Sequence, residues 1–482
     1  MIGAALLALF LGALDALIIS AAMPSIVADL GGMHLFSWAY SAYMLARAVA
    51  LPIVGKLGDL WPSRALLAGS IALFMAASLV AGFAPGMGIL IAARVFQGIG
   101  SGGIFALVYT TLTDVAPPGR RAKTLALASF VWGLASISGP TLGGFLVAYA
   151  DWRWIFFINI PLGACALWGI YRYLVELRPK KAQAHIDLWG AGFLTVTILA
   201  LLTAFLLAGS SHAWQSPTVL GLLGLTLLAG VGFYRTERGA PEPILNPAFF
   251  RLRGFSAGNG ATFLASFAIF GFFAYGPLYI QGTLRMSPVE VGWVLLAVSL
   301  GWSLGSWGLG SVIHRLGRKR AALLGGAILS ASCALSLTFN SASGLAWCFG
   351  VFLMAGVGMG FVSLSTLLIV QGSVHESDLG IVTASNQFAR TMGGTVGVGI
   401  CGSFLMAHLL SVLKTTSGSD SVQLRLQLSE LFAPEARGSL PAEFLAPLQE
   451  ALASGLGIVF AIVTGVAILC LGVCVLLPRT SE

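Results

Sequence analysis

The sequence predicts an all-α polytopic membrane protein with about fourteen membrane-spanning helices. Hydrophobic residues make up 57% of the chain and charged residues only 9%, and the mean hydropathy is +0.91. A chain of this composition does not fold as a soluble globule, because it has too few polar residues to cover an apolar core. Apolar runs of about twenty residues recur along it, which is the length that a helix needs to cross a bilayer.

The predicted spans follow one another from the N-terminus and are separated by short polar loops. The first run begins at Ile2. A cleaved signal peptide is the rival interpretation of this run, but no basic region precedes it and Asp15 interrupts it. The predicted spans are residues 2–23, 36–55, 65–84, 88–110, 124–149, 155–176, 190–208, 217–235, 254–282, 288–312, 320–338, 344–371, 381–410 and 456–477.

The distribution of basic residues predicts the orientation of the spans. Most of the 26 Lys and Arg residues fall in loops on the same side as the N-terminus. Because cytoplasmic loops are enriched in Lys and Arg, we predict a multi-pass protein of the cytoplasmic (inner) membrane with both termini inside. The same bias accounts for the net charge of +8, so we expect no nucleic-acid partner. The segment 411–455 is predicted to lie outside, with a strand or hairpin at 422–428 and a helix from Ala442 to Ser454.

An internal repeat divides the chain into two similar halves. Residues 55–64 recur in altered form at 310–319, and the same spacing carries Gly139 onto Gly394. Parallel halves around a central substrate site are an architecture of transporters. The predicted units are an N-terminal six-helix bundle at 1–176, an insertion of two helices at 177–253, and a C-terminal six-helix bundle at 254–482 that carries the external segment.

Asp15 is the first candidate for a functional residue, because it is the only acid placed deep in a predicted span. An ionised side chain at mid-membrane costs on the order of 3 kcal/mol. Simple capping of the carboxylate by a neighbouring Ser or by the backbone is the structural alternative. Burial favours the protonated acid, whereas a nearby Arg94 or Arg47 favours the ionised acid, so Asp15 is predicted to carry a coupled proton. Arg47 lies at a similar depth in the second span and is predicted to be able to pair with Asp15.

Three short motifs stand out in the first half of the chain. Residues 55–59, Gly-Lys-Leu-Gly-Asp, with Arg64 resemble the cytoplasmic loop motif of the major facilitator superfamily, and residues 90–100 resemble its fourth-helix motif with a buried Arg94. Residues 135–144 resemble the fifth-helix motif of its antiporters, whose candidate residues here are Gly139, Pro140, Gly143 and Gly144.

Two further stretches, Leu14–Pro24 and Trp152–Pro161, narrow the resemblance to the fourteen-helix drug:proton antiporters of the QacA/EmrB type. The resemblance implies a major facilitator fold and a proton-driven multidrug exporter of lipophilic, often cationic compounds. It implies a monomer that is not an enzyme, with the bilayer and a small-molecule substrate as partners and no cofactor besides protons. Competition between proton and substrate for Asp15 would then give antiport. A lipid or metabolite exporter of the same fold, and a membrane sensor that does not transport, remain open.

The charged residues of the two loop copies are predicted to act as gates. The first copy contains Lys56, Asp59 and Arg64, and an acid there can pair with basic groups or with a helix N-terminus. His314 replaces the acid in the second copy, which also contains Arg318, so the second gate is predicted to be weaker. The alternative is that these charges only follow the inside enrichment of basic residues.

Gly139 and Pro140 interrupt the fifth predicted span. Proline removes a helical hydrogen bond and favours a kink, and small residues let helix backbones approach closely. We therefore expect this span to lie at the interface between the halves, although ordinary packing of small residues would give the same pattern. Arg390 lies in a stretch similar to a second-half motif of the family and is a candidate cavity charge; its side chain reaching toward the cytoplasm is the alternative.

Nucleotide, metal and redox chemistry find no support in the sequence. The six cysteines lie in apolar stretches without a Cys-x-x-Cys pair, and no His has metal-ligand spacing, so no metal site is predicted. Residues 98–103 match Gly-x-Gly-x-x-Gly but follow an apolar helix, and no phosphate-binding loop motif is present. The predicted energy source is therefore an ion gradient.

Overall fold

A computed structural model describes residues 1–31, 35–117, 120–175, 187–210, 214–284, 286, 288–340, 343–417 and 442–478. The α-helices in this part of the chain are labelled α1 to α15 in order. They are α1 (Ile2–Leu30), α2 (Phe36–Leu60), α3 (Ser63–Gly82), α4 (Met87–Asp114), α5 (Arg121–Tyr149), α6 (Trp154–Phe157), α7 (Asn159–Tyr173), α8 (Leu188–Ser210), α9 (Pro217–Gly239), α10 (Arg253–Gly282), α11 (Pro288–Leu316), α12 (Arg318–Ser336), α13 (Leu345–Gln371), α14 (Leu379–Ser417) and α15 (Ala442–Leu476).

These helices confirm the predicted all-α membrane fold. Only Ile158 separates α6 from α7, so the two form one crossing, and the described helices make fourteen crossings in total. Twelve of the described crossings are long and apolar enough to span a bilayer by composition alone. The other two are α2, which contains three charged residues (Arg47, Lys56 and Asp59), and α12, which begins with three basic residues.

The helices pack in two groups with a pair of helices beside them. In the N-terminal group, α1 to α7, the helix α2 packs on α4 and α1 packs on α5; in the C-terminal group, α10 to α15, α11 packs on α13 and α10 on α14. The pair α8 and α9 pack on each other, and α8 also contacts α2 and α14. The two groups meet where α5 packs on α11 and where α2 packs on α14. The predicted domain boundaries stay predictions, and residues 176–186 lie outside the described residues.

Local sequence sets the tight connections on the side of the bundle where α2 ends and α3 begins, which we call the gate side. Pro62 disfavours helical backbone at Trp61, which is extended (φ −115°, ψ 163°), so α2 stops and α3 begins at Ser63. At the equivalent place in the second repeat, Gly317 adopts a φ of +77°, a left-handed conformation that glycine allows without strain, between α11 and α12.

Two predicted loops are shorter than expected. Lys56 and Asp59 were placed in a loop, but α2 continues to Leu60, so both residues lie in its last turns. The predicted external segment 411–455 is helical at both described ends, because α14 continues to Ser417 and α15 begins at Ala442. The predicted helix from Ala442 is confirmed and is continuous with the last span. The predicted strand at 422–428 lies outside the described residues.

Candidate functional site

Asp15 lies in the interior of the N-terminal group, with 1% of its surface exposed. Arg94 of α4 donates from Nη1 to Asp15 Oδ2 at 2.6 Å and has no exposed surface of its own. Two charges hidden together from water attract each other strongly, and either charge left alone there would be costly. The structure therefore brings together the acid and one of the two arginines named as candidate partners.

Three polar side chains complete what we call the Asp15 cluster, made of Asp15, Arg94, Gln97, Asn159 and Ser78. Asn159 Nδ2 donates to Asp15 Oδ1 at 2.9 Å, and Gln97 Nε2 donates to the same oxygen at 3.3 Å. Ser78 Oγ accepts from Gln97 Nε2 at 2.8 Å and from Asn159 Nδ2 at 3.2 Å. The cluster joins α1, α3, α4 and the start of α7 at one buried point. A change in the charge of Asp15 would therefore alter hydrogen bonds that connect four helices.

These contacts decide between the sequence-based alternatives for Asp15. Its hydrogen bonds come from side chains of other helices, so capping by a neighbouring Ser or by the backbone is wrong. Arg47 does not pair with Asp15 either. Its guanidinium carbon lies 3.8 Å from the centre of the Phe105 ring and 5.7 Å from that of Trp132. Arg94 already pairs with the Asp15 carboxylate, and the Arg47 guanidinium instead lies over aromatic rings of α4 and α5.

A cavity of ≈ 420 Å³ lies between the two groups of helices. Its wall includes the aromatic rings of Trp132, Phe270 and Trp302 and the polar side chains of Gln387 and Thr391. The inserted helix α8 contributes to the same wall. A mainly apolar cavity of this size with a few polar groups suits a drug-sized molecule.

Asp15 is not among the residues that line this cavity, so the predicted direct competition between proton and substrate does not fit its position. The lining instead includes Leu17 on the same helix and Tyr40 on α2. The residue before Tyr40 is Ala39, whose carbonyl oxygen accepts a hydrogen bond from Arg94 Nε at 3.3 Å. The Asp15 cluster therefore lies directly behind the cavity wall and contacts it through α1 and α2.

Asp59 joins the two groups of helices on the gate side. Its Oδ1 accepts from the Gly380 backbone N–H and its Oδ2 from the Ile381 N–H, both at 2.7 Å. These N–H groups belong to the second and third residues of α14, in the first turn, where a carboxylate is stabilised by unpaired donors and by the helix dipole. The contact lies roughly three turns along α2 from the cavity residue Arg47. The helix N-terminus, one of the two kinds of partner predicted for this acid, is therefore observed in contact with it.

The other two charged residues of the first copy also contact described residues. Lys56 Nζ lies 3.4 Å from Glu242 Oε2, in the segment that connects α9 to the C-terminal group. Arg64 donates to the backbone carbonyl of Tyr171 at the end of α7. The contact of Asp59 joins the two groups of helices directly.

The second copy of the motif makes different contacts from the first. His314 is exposed, whereas Arg318 Nη1 donates to the Leu368 carbonyl at 3.2 Å within the C-terminal group. The acid at Asp59 thus contacts the opposite group, whereas His314, which replaces it in the repeat, is exposed. The two copies therefore make different contacts, and the prediction that they act as unequal gates stays a prediction.

Gly139 of α5 packs inside the N-terminal group rather than against the C-terminal group. A Cβ at Gly139 would lie 2.9 Å from Leu17 Cβ, so α5 and α1 touch at this position. The expected contact between the groups is made by Gly133 on the same helix, where a Cβ would lie 2.3 Å from Ser303 Oγ of α11. Gly144 has no atom within 4 Å of such a Cβ, and the Pro140 side chain lies outside the described residues, so no contact is assigned to it.

Arg390 lines the cavity, so the alternative in which it reaches toward the cytoplasm is wrong. Its Nη2 donates to Ser363 Oγ at 2.6 Å, and its guanidinium carbon lies 5.6 Å from the centre of the Trp302 ring. In the described part of the chain, no group of three or more His, Cys, Asp or Glu side chains is placed to hold a metal ion.

The sequence reasoning missed the buried amides. Gln97 and Asn159 hold Asp15 in place, and Gln371 donates at 3.0 Å to Thr113 of α4 and at 3.0 Å to Thr383 of α14, which links the two groups near the gate side. Each of these amides could have been chosen as a candidate from the sequence, because a lone amide in an apolar span needs hydrogen-bond partners inside the membrane.

Comparisons with known proteins agree with this architecture. The sequence profile described as "Major Facilitator Superfamily" matches residues 5–398. The chain is 32% identical over 458 residues to the multidrug transporter protein MdtP of Bacillus subtilis, covering 91% of this chain and 84% of that protein. It is 30% identical over 469 residues to multidrug resistance protein 3 of the same organism, covering 94% and 90%.

A solved structure shares the fold. The crystal structure of the human organic anion transporter MFSD10 (TETRAN) superposes with a TM-score of 0.61 over 97% of this chain and 98% of that chain, at 14% identity. At this identity the likeness concerns the fold alone. The helix arrangement and the central cavity agree with the sequence profile and with the two bacterial relatives. The chain is therefore a multi-pass membrane transporter that belongs to the Major Facilitator Superfamily.

Proposed function

We propose that this protein is a proton-coupled efflux antiporter that exports lipophilic small molecules across the cytoplasmic membrane. The observation that carries the proposal is the buried Asp15–Arg94 ion pair directly behind the cavity wall. The names of the two bacterial relatives, which are about one-third identical to this chain, support multidrug efflux. We further propose that both termini are cytoplasmic, that the protein acts as a monomer, and that protons are its only coupling species.

Coupling would work through the shape of the N-terminal group rather than through direct contact of Asp15 with the substrate. When Asp15 takes up a proton, its attraction for Arg94 is lost and the buried guanidinium needs another partner. Arg94 also holds the Ala39 carbonyl of α2, next to the cavity residue Tyr40. A change in this pair would therefore move α1 and α2 relative to α4 and bias the equilibrium between inward-open and outward-open states.

The proposal is tested with inverted membrane vesicles that carry an imposed pH gradient. Addition of a substrate should release protons from the acidified interior, and a panel should include lipophilic drugs as well as lipids and ordinary metabolites. Responses to drugs support multidrug efflux, whereas responses to lipids alone would favour the lipid-exporter alternative. Substrate accumulation that proceeds without any proton movement would contradict proton coupling.

Replacement of Asp59 by Asn should slow transport several-fold while substrate binding remains. The variant loses the negative charge at the N-terminus of α14, a contact worth about 0.3–2 kcal/mol, and the states closed on the gate side become less populated. Transport rate and substrate affinity are measured separately. The matched control is Glu376→Gln, which removes the exposed pair with Arg121 between the same two groups and should change little. Weak binding with a normal transport rate in Asp59→Asn would contradict this placement.

A further inference from the structure

The central cavity carries two positive side chains and, among its described lining residues, no acidic one. Arg47 of α2 and Arg390 of α14 come from opposite groups of helices, so each side of the cavity contributes a charge. Asp15, the acid that would attract a cation, lies outside the lining and is already paired with Arg94. The electrostatics of the cavity therefore oppose a cationic substrate.

Arg47 is buried, with 8% of its surface exposed, and forms no ion pair with any described residue. Its Nε has no hydrogen-bond partner in the part of the chain that the structure describes. The faces of Phe105 and Trp132 stabilise its guanidinium, but an aromatic face replaces only part of the solvation that a buried cation loses. The residue is therefore held in place without a counter-charge from any described side chain.

Arg390, on the opposite wall of the cavity, also forms no ion pair with a described residue. Its Nη2 donates to the Ser363 hydroxyl and its guanidinium lies over the ring of Trp302, and its Nε has no hydrogen-bond partner among the described residues. Hydroxyl oxygens accept hydrogen bonds from a guanidinium but do not neutralise its charge. Each of the two cavity arginines thus has an unused donor, and neither forms an ion pair with a described residue.

We propose, on the basis of the efflux function above, that this cavity selects lipophilic anions. The apolar body of the substrate would lie among Trp132, Phe270 and Trp302, and its carboxylate or other oxyanion head would lie between Arg47 and Arg390. A guanidinium presents a planar set of donors that matches a carboxylate or phosphate. An anion supplies the counter-charge that the described lining lacks, whereas a cation would add to the repulsion.

The proposal fixes the direction of charge movement. Export of an anion in exchange for protons moves positive charge inward at every stoichiometry, so the membrane potential drives the cycle. A monovalent cation exchanged for one proton moves no net charge. A current that accompanies anion efflux is therefore expected in addition to binding.

The binding test uses three probes with one ring system: naphthylacetate, its neutral amide naphthylacetamide, and naphthylethylammonium. Affinities are measured on the purified full-length protein without a proton gradient. The anion should bind at least about tenfold more tightly than the amide, the change expected for one charge-assisted hydrogen bond, and the cation should bind most weakly. Equal binding of the three probes, or tighter binding of the cation, overturns the proposal.

Substitutions locate the preference in the two arginines. Arg47→Gln and Arg390→Gln should each reduce the preference for the anion over the amide about tenfold, whereas Arg251→Gln, at an exposed position outside the cavity, should leave it unchanged. An unchanged preference in both cavity variants overturns the assignment. The comparison of probes on the unmodified protein decides the question even if a variant does not fold. Anion selectivity without proton movement in vesicles would contradict the proposed coupling alone, and proton-coupled transport of cations would contradict the selectivity alone.

Discussion

Replacement of Asp15 by Asn is expected to abolish proton-driven efflux while substrate binding persists. The amide has nearly the same shape as the carboxylate but neither takes up a proton nor neutralises Arg94. Binding persists because Asp15 lies outside the described cavity lining. Efflux against a gradient and equilibrium binding are measured on the same preparation. Asp15→Glu keeps the charge at a longer reach and should retain part of the activity.

A structural role for the same ion pair predicts a different result. Leaving Arg94 buried and unpaired costs roughly 3–5 kcal/mol, so a loss of activity in Asp15→Asn alone does not separate coupling from stability. The double variant Asp15→Asn with Arg94→Gln removes both charges and should recover thermal stability but not pumping. The control is Asp29→Asn on the same helix, where the acid is exposed and should matter little. Proton-coupled pumping of normal stoichiometry by Asp15→Asn would place the proton carrier elsewhere.

Hydropathy and the cost of buried charge were sufficient to predict the helices and the buried, paired state of Asp15. Each predicted span corresponds to a helical crossing, because a bilayer forces about twenty apolar residues into a helix regardless of its neighbours. A charge inside a membrane needs a partner, so a basic partner for Asp15 was also expected, with Arg94 and Arg47 as the two candidates. These predictions depend only on the composition of one segment or on the presence of a partner, and not on how the helices pack.

Contacts that depend on how each helix is rotated about its own axis could not be predicted from the sequence. Depth made Arg47 a candidate partner of Asp15 and the fourth-helix motif made Arg94 another, but the rotation of their helices was unknown; the structure places Arg94, and not Arg47, on the carboxylate. The lining of the cavity by Arg390 likewise depends on the packing of α14 between the two groups. Prediction of the substrate class therefore needed the three-dimensional lining, and the sequence resemblance alone suggested the opposite charge.

Replacement of Gly139 by Leu should abolish turnover while leaving much of the protein correctly inserted. A Cβ at this position would lie 2.9 Å from Leu17 Cβ and 3.4 Å from the Ile18 backbone nitrogen, so the larger side chain must push α5 away from α1. Leu17 lines the cavity and is two residues from Asp15, which means that the displacement reaches both the substrate path and the ion pair. Overpacking of this kind typically costs about 1–3 kcal/mol, which a folded protein can tolerate.

Gly144 provides the control on the same helix, because a Cβ there has no neighbour within 4 Å and the position is exposed. Gly144→Leu should therefore transport normally, and Gly139→Ala should fall between the two because its single methyl group requires only a small shift of Leu17. Transport rate and the amount of folded protein are measured for all three variants. Equal activity of Gly139→Leu and Gly144→Leu would show that close packing of α5 on α1 is not required for the conformational cycle. A graded loss from Gly139→Ala to Gly139→Leu, with constant expression, would show that the distance between these two helices limits turnover.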